Sequence, residues 1–184
     1  FSKFLTYDFG IFDGTTAVNN SGFSEIIINV SASHTNNSTT HGVNWLTDEN
    51  WTWGKYWSSS RSSVYLDIEL INDFLDTKIL EKVVLSSLTM GTVPDVMHVY
   101  YLDSFGVEQF VSTHNVKDGY ETRWDMQTGN YPSVTLVIPI EQNINSENIR
   151  LYFEGGSTIA IRELNLFYNR KALKDVIRTA YKYR

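Results

Sequence analysis

The chain has 184 residues, of which 42% are hydrophobic and 20% are charged, a composition typical of one globular domain with a sizeable core. It contains no cysteine, which excludes a disulfide framework, a thiolate metal site and a cysteine nucleophile. The formal net charge is -6. Residues 169–184 contribute +5, from six basic residues and one acidic residue, so the other residues carry -11. Because an acidic protein body repels phosphate backbones, a nucleic-acid partner is not expected.

The first half of the chain predicts strands separated by polar loops. Residues 1–22 contain an apolar run followed by turn residues and a polar cluster, which predicts an early strand and loop. Residues 23–33 predict a second strand, and a loop rich in aromatic side chains occupies residues 44–63. Residues 64–71 alternate between apolar and polar side chains, and this period of two predicts a strand with one buried face.

Six further strands are predicted at short intervals, which is the pattern of an all-β sandwich and not of a doubly wound α/β fold. The residues from Asp103 to Gly106 predict a hairpin turn. Pro94 lacks the amide hydrogen that a central ladder needs, so the strand near it is expected to begin around Val96. The six strands are predicted at residues 79–89, 96–103, 107–113, 133–140, 148–154 and 158–168.

The C-terminal residues have a different periodicity. Residues 169–184 show the apolar spacing of an amphipathic helix, with the basic residues mainly on its other side. Such a helix either packs on the domain or leads into a following domain. The alternative is that it mediates homo-oligomerisation or binds an acidic protein partner. We therefore expect a sandwich over residues 1–168 and a basic helix over residues 169–184. No apolar run approaches the roughly 20 residues of a membrane span, and no pattern predicts a signal peptide.

The order and spacing of these elements resemble a known family. The stretches that carry the resemblance are Val30 to His34, Leu46 to Asp48, Trp57 to Ser59, Tyr65 to Leu70, Val99 to Gly106, Asn148 to Phe153 and Ile159 to Leu166. Together they resemble the discoidin or coagulation-factor 5/8 type C family, which includes many bacterial carbohydrate-binding modules. The resemblance covers roughly residues 23–168. It implies a galactose-binding-like jelly-roll sandwich, usually a non-catalytic module that recognises glycans, lipids or proteins through loops at one end.

The resemblance also implies a structural calcium ion between an Asp-containing loop and a carboxylate on the last strand. Asp48 matches the loop residue, Glu163 matches the strand carboxylate, and Thr52 matches a hydroxyl ligand. Asn50 is an alternative ligand, and Glu49 stands where the family usually has Gly. Calcium typically takes six to eight oxygens, many of them backbone carbonyls, so a few side chains suffice. The alternative is a loop that Asp48 holds through hydrogen bonds to backbone amides.

Sugar recognition needs flat rings that stack on the apolar face of a pyranose and polar groups that hold its hydroxyls. The candidate ligand-binding residues are the rings of Trp51, Trp53, Tyr56 and Trp124 and the polar side chains of Arg61 and Arg123. At least one or two Trp residues of the aromatic loop must pack inward on the sandwich. Trp45 and Trp57 are therefore expected in the core.

The sugar site that is best known in the family is not carried over. Residues 58–61 stand where a His and a Trp commonly follow the loop Trp, and residues 91–95 stand where an Arg and an Asn are expected. Residues 155–158 replace an aromatic residue before the last strand. A glycan site in this chain is therefore expected to use different residues.

No motif predicts catalysis. The four histidines show no metal-ligand spacing, and no nucleophile elbow, phosphate loop or dinucleotide fingerprint occurs. Asp67 and Glu69 share one side of a strand and are expected to be solvated. The leading hypothesis is a non-catalytic module that binds glycan, on an extracellular or particle-surface protein. The alternative is a structural or protein-interaction domain of a larger assembly, such as a viral or phage attachment protein.

Overall fold

The computed structural model describes residues 23–24, 27–47, 55–70, 79–121, 134–144 and 146–169. Three short 3-10 helices lie in this part of the chain, at Val43–Leu46, Met90–Thr92 and Val116–Asp118. The strands of the same part are β1 (Phe23–Ser24), β2 (Ile27–Ala32), β3 (Trp57–Ser59), β4 (Ser63–Leu70), β5 (Ile79–Ser87), β6 (Val96–Leu102), β7 (Glu108–Asn115), β8 (Tyr120–Glu121), β9 (Val134–Asn143), β10 (Asn148–Glu154) and β11 (Ile159–Asn169).

The strands form two antiparallel sheets that pack face to face. The six-stranded sheet has the order β1-β11-β5-β9-β8, and β3 pairs with β11 beside this path. The five-stranded sheet has the order β2-β4-β10-β6-β7. One apolar cluster joins the two sheets, because it contains Leu66 and Ile68 of β4 together with Leu164 and Leu166 of β11. The predicted all-β sandwich is confirmed.

Alternation along the strands builds this core. Val64, Leu66, Ile68 and Leu70 of β4 are each at most 1% exposed, whereas the polar residues between them are partly or fully exposed. The same pattern recurs on β10, the neighbour of β4, where every second residue is buried. The prediction of a strand with one buried face is therefore confirmed for residues 64–70.

The strand β11 is buried on both of its faces. Leu164 belongs to the core between the sheets, and a bulge between Ile161 and Glu163 turns the side chains of Arg162 and Glu163 to the outer side. Those two polar side chains and Asn165 are at most 4% exposed. The outer side of the six-stranded sheet is thus largely removed from solvent around β11.

A second apolar cluster lies on the outer side of the six-stranded sheet. It consists of Val84, Val137 and Phe167, one residue from each of three neighbouring strands. The ammonium group of Lys82 lies 4.9 Å from the ring centroid of Phe167. Burial lowers the pKa of Lys82, since a desolvated ammonium loses part of its hydration.

The tight turn between β6 and β7 is confirmed. The amide of Gly106 donates to the carbonyl of Asp103 at 2.9 Å, and Gly106 has the positive φ of 75° that this turn requires. The carboxylate of Asp103 accepts hydrogen bonds from the amides of Val107 at 3.0 Å and Phe105 at 2.9 Å. These hydrogen bonds lower the pKa of Asp103, and the bond from Val107 has the largest effect. The expected start of β6 at Val96, two residues after Pro94, is also confirmed.

Several predicted boundaries were wrong. Residues 23–33 contain two strands in different sheets, since β1 pairs with β11 and β2 pairs with β4. A helix does not begin at Asn169, because Asn169 is the last residue of β11 and pairs with Ile79. The remainder of the predicted helix and the predicted strand within residues 1–22 lie outside the described residues. In the described ranges, no helix is long and apolar enough to cross a membrane.

Candidate functional site

Four chain connections begin or end at one end of the sandwich. In the five-stranded sheet, Ser63 pairs with Glu154, Glu154 pairs with Val96, and Val96 pairs with Asn115. The connections before β4, before β6, after β7 and after β10 therefore meet at this end, which we call the loop end. The resemblance in the sequence implies ligand recognition at loops in one such place.

Backbone hydrogen bonds and an ion pair connect the loops of this end. The amide of Asp95 donates to the carbonyl of Glu154 at 2.9 Å, and the amide of Val116 donates to the carbonyl of Asp95 at 3.0 Å. The ammonium of Lys117 lies 2.6 Å from the Asp95 carboxylate, in a pair whose side chains are about half exposed. Asp95 thus joins three connections, and this gives the loop end a fixed frame.

Gly155 and Gly156, which follow β10, differ in the room that a side chain would have. Gly155 has φ of 89°, and a Cβ added to it would lie 2.3 Å from the Asp95 carboxylate and 2.6 Å from the Asp95 Cβ. Gly156 has φ of 85°, but a Cβ there would meet no atom within 4 Å. The close approach of Asp95 therefore leaves no room for an aromatic side chain at position 155.

Trp57 lies in the core, as predicted. It is fully buried, and its indole Nε1 donates to the hydroxyl of Thr35 at 3.1 Å. The adjacent loop is attached to β3 by a hydrogen bond of 2.8 Å between His34 Nδ1 and the hydroxyl of Ser59. Asn36 adds a further bond to this strand, from its amide to the carbonyl of Ser58 at 3.0 Å. The strand β3 was not predicted, because it was included in the aromatic loop.

Trp45 does not lie in the core, and that prediction was wrong. Its side chain is only partly buried, and its Nε1 donates to the carbonyl of Thr40 at 3.1 Å. The ammonium of Lys55 lies 4.0 Å from its ring centroid. The N–H of Trp45 thus reaches a carbonyl of an exposed loop and its ring face contacts a cation, an arrangement that suits an indole at the protein surface.

Of the six predicted ligand-binding residues, the structure describes two. Tyr56 is partly buried and stacks on His41 with a centroid distance of 4.1 Å and an interplanar angle of 18°, so one face of its ring is covered. Arg61 is exposed between β3 and β4, and its side chain makes no ion pair with any residue in the described ranges. The other four predicted residues, Trp51, Trp53, Arg123 and Trp124, lie outside the described residues.

The predicted calcium site has one described member. Glu163 lies on β11 and is 1% exposed, on the same side of the sheet as Arg162. A carboxylate buried to this extent needs neutralisation or several hydrogen bonds, and calcium ligation is one arrangement that supplies this. Glu163 therefore fits the chemistry of a ligand. Its predicted partners Asp48, Asn50 and Thr52 lie outside the described residues, and within those ranges no three acidic or histidine side chains gather at one point.

A charged network on the outer face of the five-stranded sheet was missed by sequence reasoning. The guanidinium of Arg150 binds both carboxylate oxygens of Asp67, at 2.5 and 2.8 Å, and one oxygen of Glu108 at 2.5 Å. The hydrogen bonds to Asp67 are the largest of the interactions that raise the pKa of Arg150. The hydroxyl of Tyr152 also donates to Glu108 at 2.7 Å and is the main cause of its lowered pKa. The expectation that Asp67 is solvated was therefore wrong.

Comparisons with solved structures show the same fold in carbohydrate-binding modules. The family 32 module from Clostridium perfringens NanJ, in complex with galactose, aligns with a TM-score of 0.52 and 17% identity over 76% of this chain and 92% of that chain. A pectin-binding carbohydrate-binding module aligns with a TM-score of 0.50 and 14% identity over 77% and 91% of the two chains. The module CpGH89CBM32-5 from Clostridium perfringens, in complex with GalNAc-β-1,3-galactose, aligns with a TM-score of 0.50 and 12% identity over 75% and 93%.

The chain thus shares the β-sandwich fold of these carbohydrate-binding modules, the fold that the resemblance in the sequence implied. In sequence comparisons, no family model and no curated protein matches the chain.

Proposed function

We propose that the protein is a non-catalytic module that binds carbohydrate, in an extracellular or particle-surface setting. The observation that carries this proposal is that its fold extends over nine tenths of the length of three solved carbohydrate-binding modules. Since one fold can serve several functions, direct measurement of glycan binding tests this function.

The loop end supplies groups of the kind that sugar recognition uses. Arg61 is an exposed donor of several hydrogen bonds, and Tyr56 is a partly buried ring that His41 holds by stacking. We assign Arg61 and Tyr56 to the ligand contacts, together with four residues outside the described ranges, namely Trp51, Trp53, Arg123 and Trp124. The frame around Asp95 limits the entropy lost when these loops bind a ligand.

A glycan array followed by titration of the best ligand tests the function. Replacing Trp51, Trp53 or Trp124 with alanine is expected to weaken binding at least tenfold where the ring stacks on a sugar, which corresponds to about 1.4 kcal/mol. Trp45→Ala is the control, because this half-buried ring carries Lys55 and is not assigned to the ligand. If the folded protein binds no glycan at millimolar concentration, the proposed function is wrong.

We propose in addition that a calcium ion stabilises the domain through Glu163, with Asp48, Asn50 and Thr52 as further ligands. An ion that binds only the folded state adds about 2.7 kcal/mol of stability at a concentration one hundred times its Kd. The melting temperature is therefore expected to rise with calcium and to fall in chelator. Glu163→Gln, which keeps the side-chain shape, should remove this response. Identical melting curves in calcium and in chelator would exclude a stabilising site.

A further inference from the structure

Four aromatic rings form a continuous row across the outer face of the five-stranded sheet. Tyr65 of β4 contacts Tyr152 of β10 at a centroid distance of 5.1 Å, and Tyr152 contacts Tyr100 of β6 at 5.2 Å. Tyr100 in turn contacts Phe110 of β7 at 5.5 Å. The row follows from the register, because side chains that point outward on neighbouring strands lie next to each other. It crosses four of the five strands.

The ring positions are fixed by the charged network described above. The guanidinium of Arg150 lies 4.2 Å from the ring centroid of Tyr65 while it binds Asp67. The hydroxyl of Tyr152 is held by Glu108. Phe110, at the edge strand, is 61% exposed. A row of rings held in this way presents contact area that loses little conformational entropy on binding.

A depression of about 180 Å³ adjoins the row on the same face. Its polar side chains come from β2, β4 and β10 and include Ser31, Asp67, Glu69 and Asn148. Within the described ranges, the side chains of Ser31, Glu69 and Asn148 make no hydrogen bond to other parts of the chain. The pair of Glu69 and Asn148 lies four residues along β4 and β10 from the pair of Tyr65 and Tyr152. These groups are therefore available to hydrogen-bond a ligand that extends from the rings along these two strands.

The charge of this face restricts the ligand. The five strands carry four carboxylates against the single guanidinium of Arg150 and contain no lysine. His98 lies between the hydroxyl of Thr113, at 2.7 Å, and the carboxylate of Glu154, at 3.2 Å. A face with this excess of negative charge repels uronic acids, sulfated sugars and sialylated glycans. It accepts hydrogen bonds well from uncharged hydroxyl groups.

We propose that this sheet face is a second glycan-binding surface, separate from the loop end, and that it takes an uncharged, extended glycan chain. The inference rests on the proposed function, because it assigns a further binding surface to the same class of ligand. Successive ring centroids are 5.1 to 5.5 Å apart and successive ring planes are inclined by 54° to 71°, so a chain on this face meets ring edges as well as ring faces. Phe110 offers the most exposed ring. Glu69 and Asn148 then hold the hydroxyls of a unit in the depression.

The test uses neutral β-1,4-linked hexasaccharides of glucose, xylose and mannose, titrated calorimetrically into the whole protein. Phe110→Ala and Glu69→Gln are expected to weaken binding at least tenfold. Phe105→Ala is the matched control, because Phe105 is a Phe of the same hairpin, is 89% exposed and lies on the turn outside the row. It should bind as the unaltered protein does. Both residues of interest are exposed, and melting curves verify that each variant folds.

The outcomes distinguish failure of this surface from failure of the proposed function. If Phe110→Ala and Glu69→Gln bind as well as the unaltered protein while Arg61→Ala loses binding, the sheet-face surface is wrong and the proposed function stands. If oligogalacturonate binds as tightly as the neutral chains and competes with them, the assignment to uncharged glycans is wrong. If the unaltered protein binds no glycan at all, both the function and the surface fail.

Discussion

Trp57→Ala is expected to destabilise the domain by about 3–5 kcal/mol, the range found for fully buried large aromatic residues. Trp57 is completely buried, lies 6.5 Å from the ring of Phe153 in the opposite sheet, and donates its N–H to Thr35. Its removal leaves a cavity between the sheets and an unused hydroxyl acceptor. The melting temperature should fall by roughly 10 °C. Differential scanning calorimetry measures this fall.

Two further variants separate packing from hydrogen bonding at this position. Trp57→Phe keeps an aromatic ring and should cost less than half as much as alanine, because it loses the indole hydrogen bond and only part of the volume. Trp45→Ala removes an indole of the same loop that is only partly buried, and it should cost about 1 kcal/mol. An equal loss from the two alanine variants would contradict the assignment of Trp57 to the core.

Gly155→Ala is expected to be far more costly than Gly156→Ala. Both residues have a positive φ, so alanine at either position pays a strain of about 1–2 kcal/mol. Only at Gly155 does the new Cβ meet Asp95, and forced overlaps of this kind cost typically another 1–3 kcal/mol. Because the two variants share the backbone strain, the difference between their unfolding free energies, measured in urea, gives the cost of the overlap with Asp95.

A second substitution at Asp95 identifies which atoms cause the clash. The alanine Cβ would lie 2.6 Å from the Asp95 Cβ, an atom that rotation about χ1 does not move. Asp95→Ala should therefore leave Gly155→Ala destabilised, although it removes the carboxylate and the ion pair with Lys117. Asp95→Gly should relieve most of the steric cost. Relief by Asp95→Ala as well would place the clash at the carboxylate alone.

The strands of the sandwich were largely predictable because each carries its own pattern. Alternation at residues 64–70, the turn at Asp103 and the position of Pro94 each fix a local geometry without information from the rest of the chain. The strands β1 and β2 were predicted as one strand, because no Gly, Pro, Asn or Asp stands between them and only their pairing with different sheets divides them. Three-residue β3 has too few positions to show a period.

The candidate sites were less predictable, because they depend on contacts between distant residues. Nothing in the local sequence connects Asp67 with Arg150, or Tyr65 with Phe110, until the register of four strands is known. Trp45 and Trp57 stand in similar aromatic surroundings in the sequence, yet of the two only Trp57 faces the opposite sheet. Glu163 was identified by family resemblance, and its burial was visible only from the structure.

The position of β11 affects the order of events during synthesis of the protein. This strand forms ladders with Ser24, Ser59 and Ser87, three residues from widely separated parts of the chain. The six-stranded sheet cannot be completed until residue 169 has left the ribosome. Until then, the edges of β1, β3 and β5 that pair with β11 remain unpaired. Contacts between such distant segments slow the search for the native state. The nascent chain therefore carries unpaired strand edges, which favour aggregation, until β11 emerges.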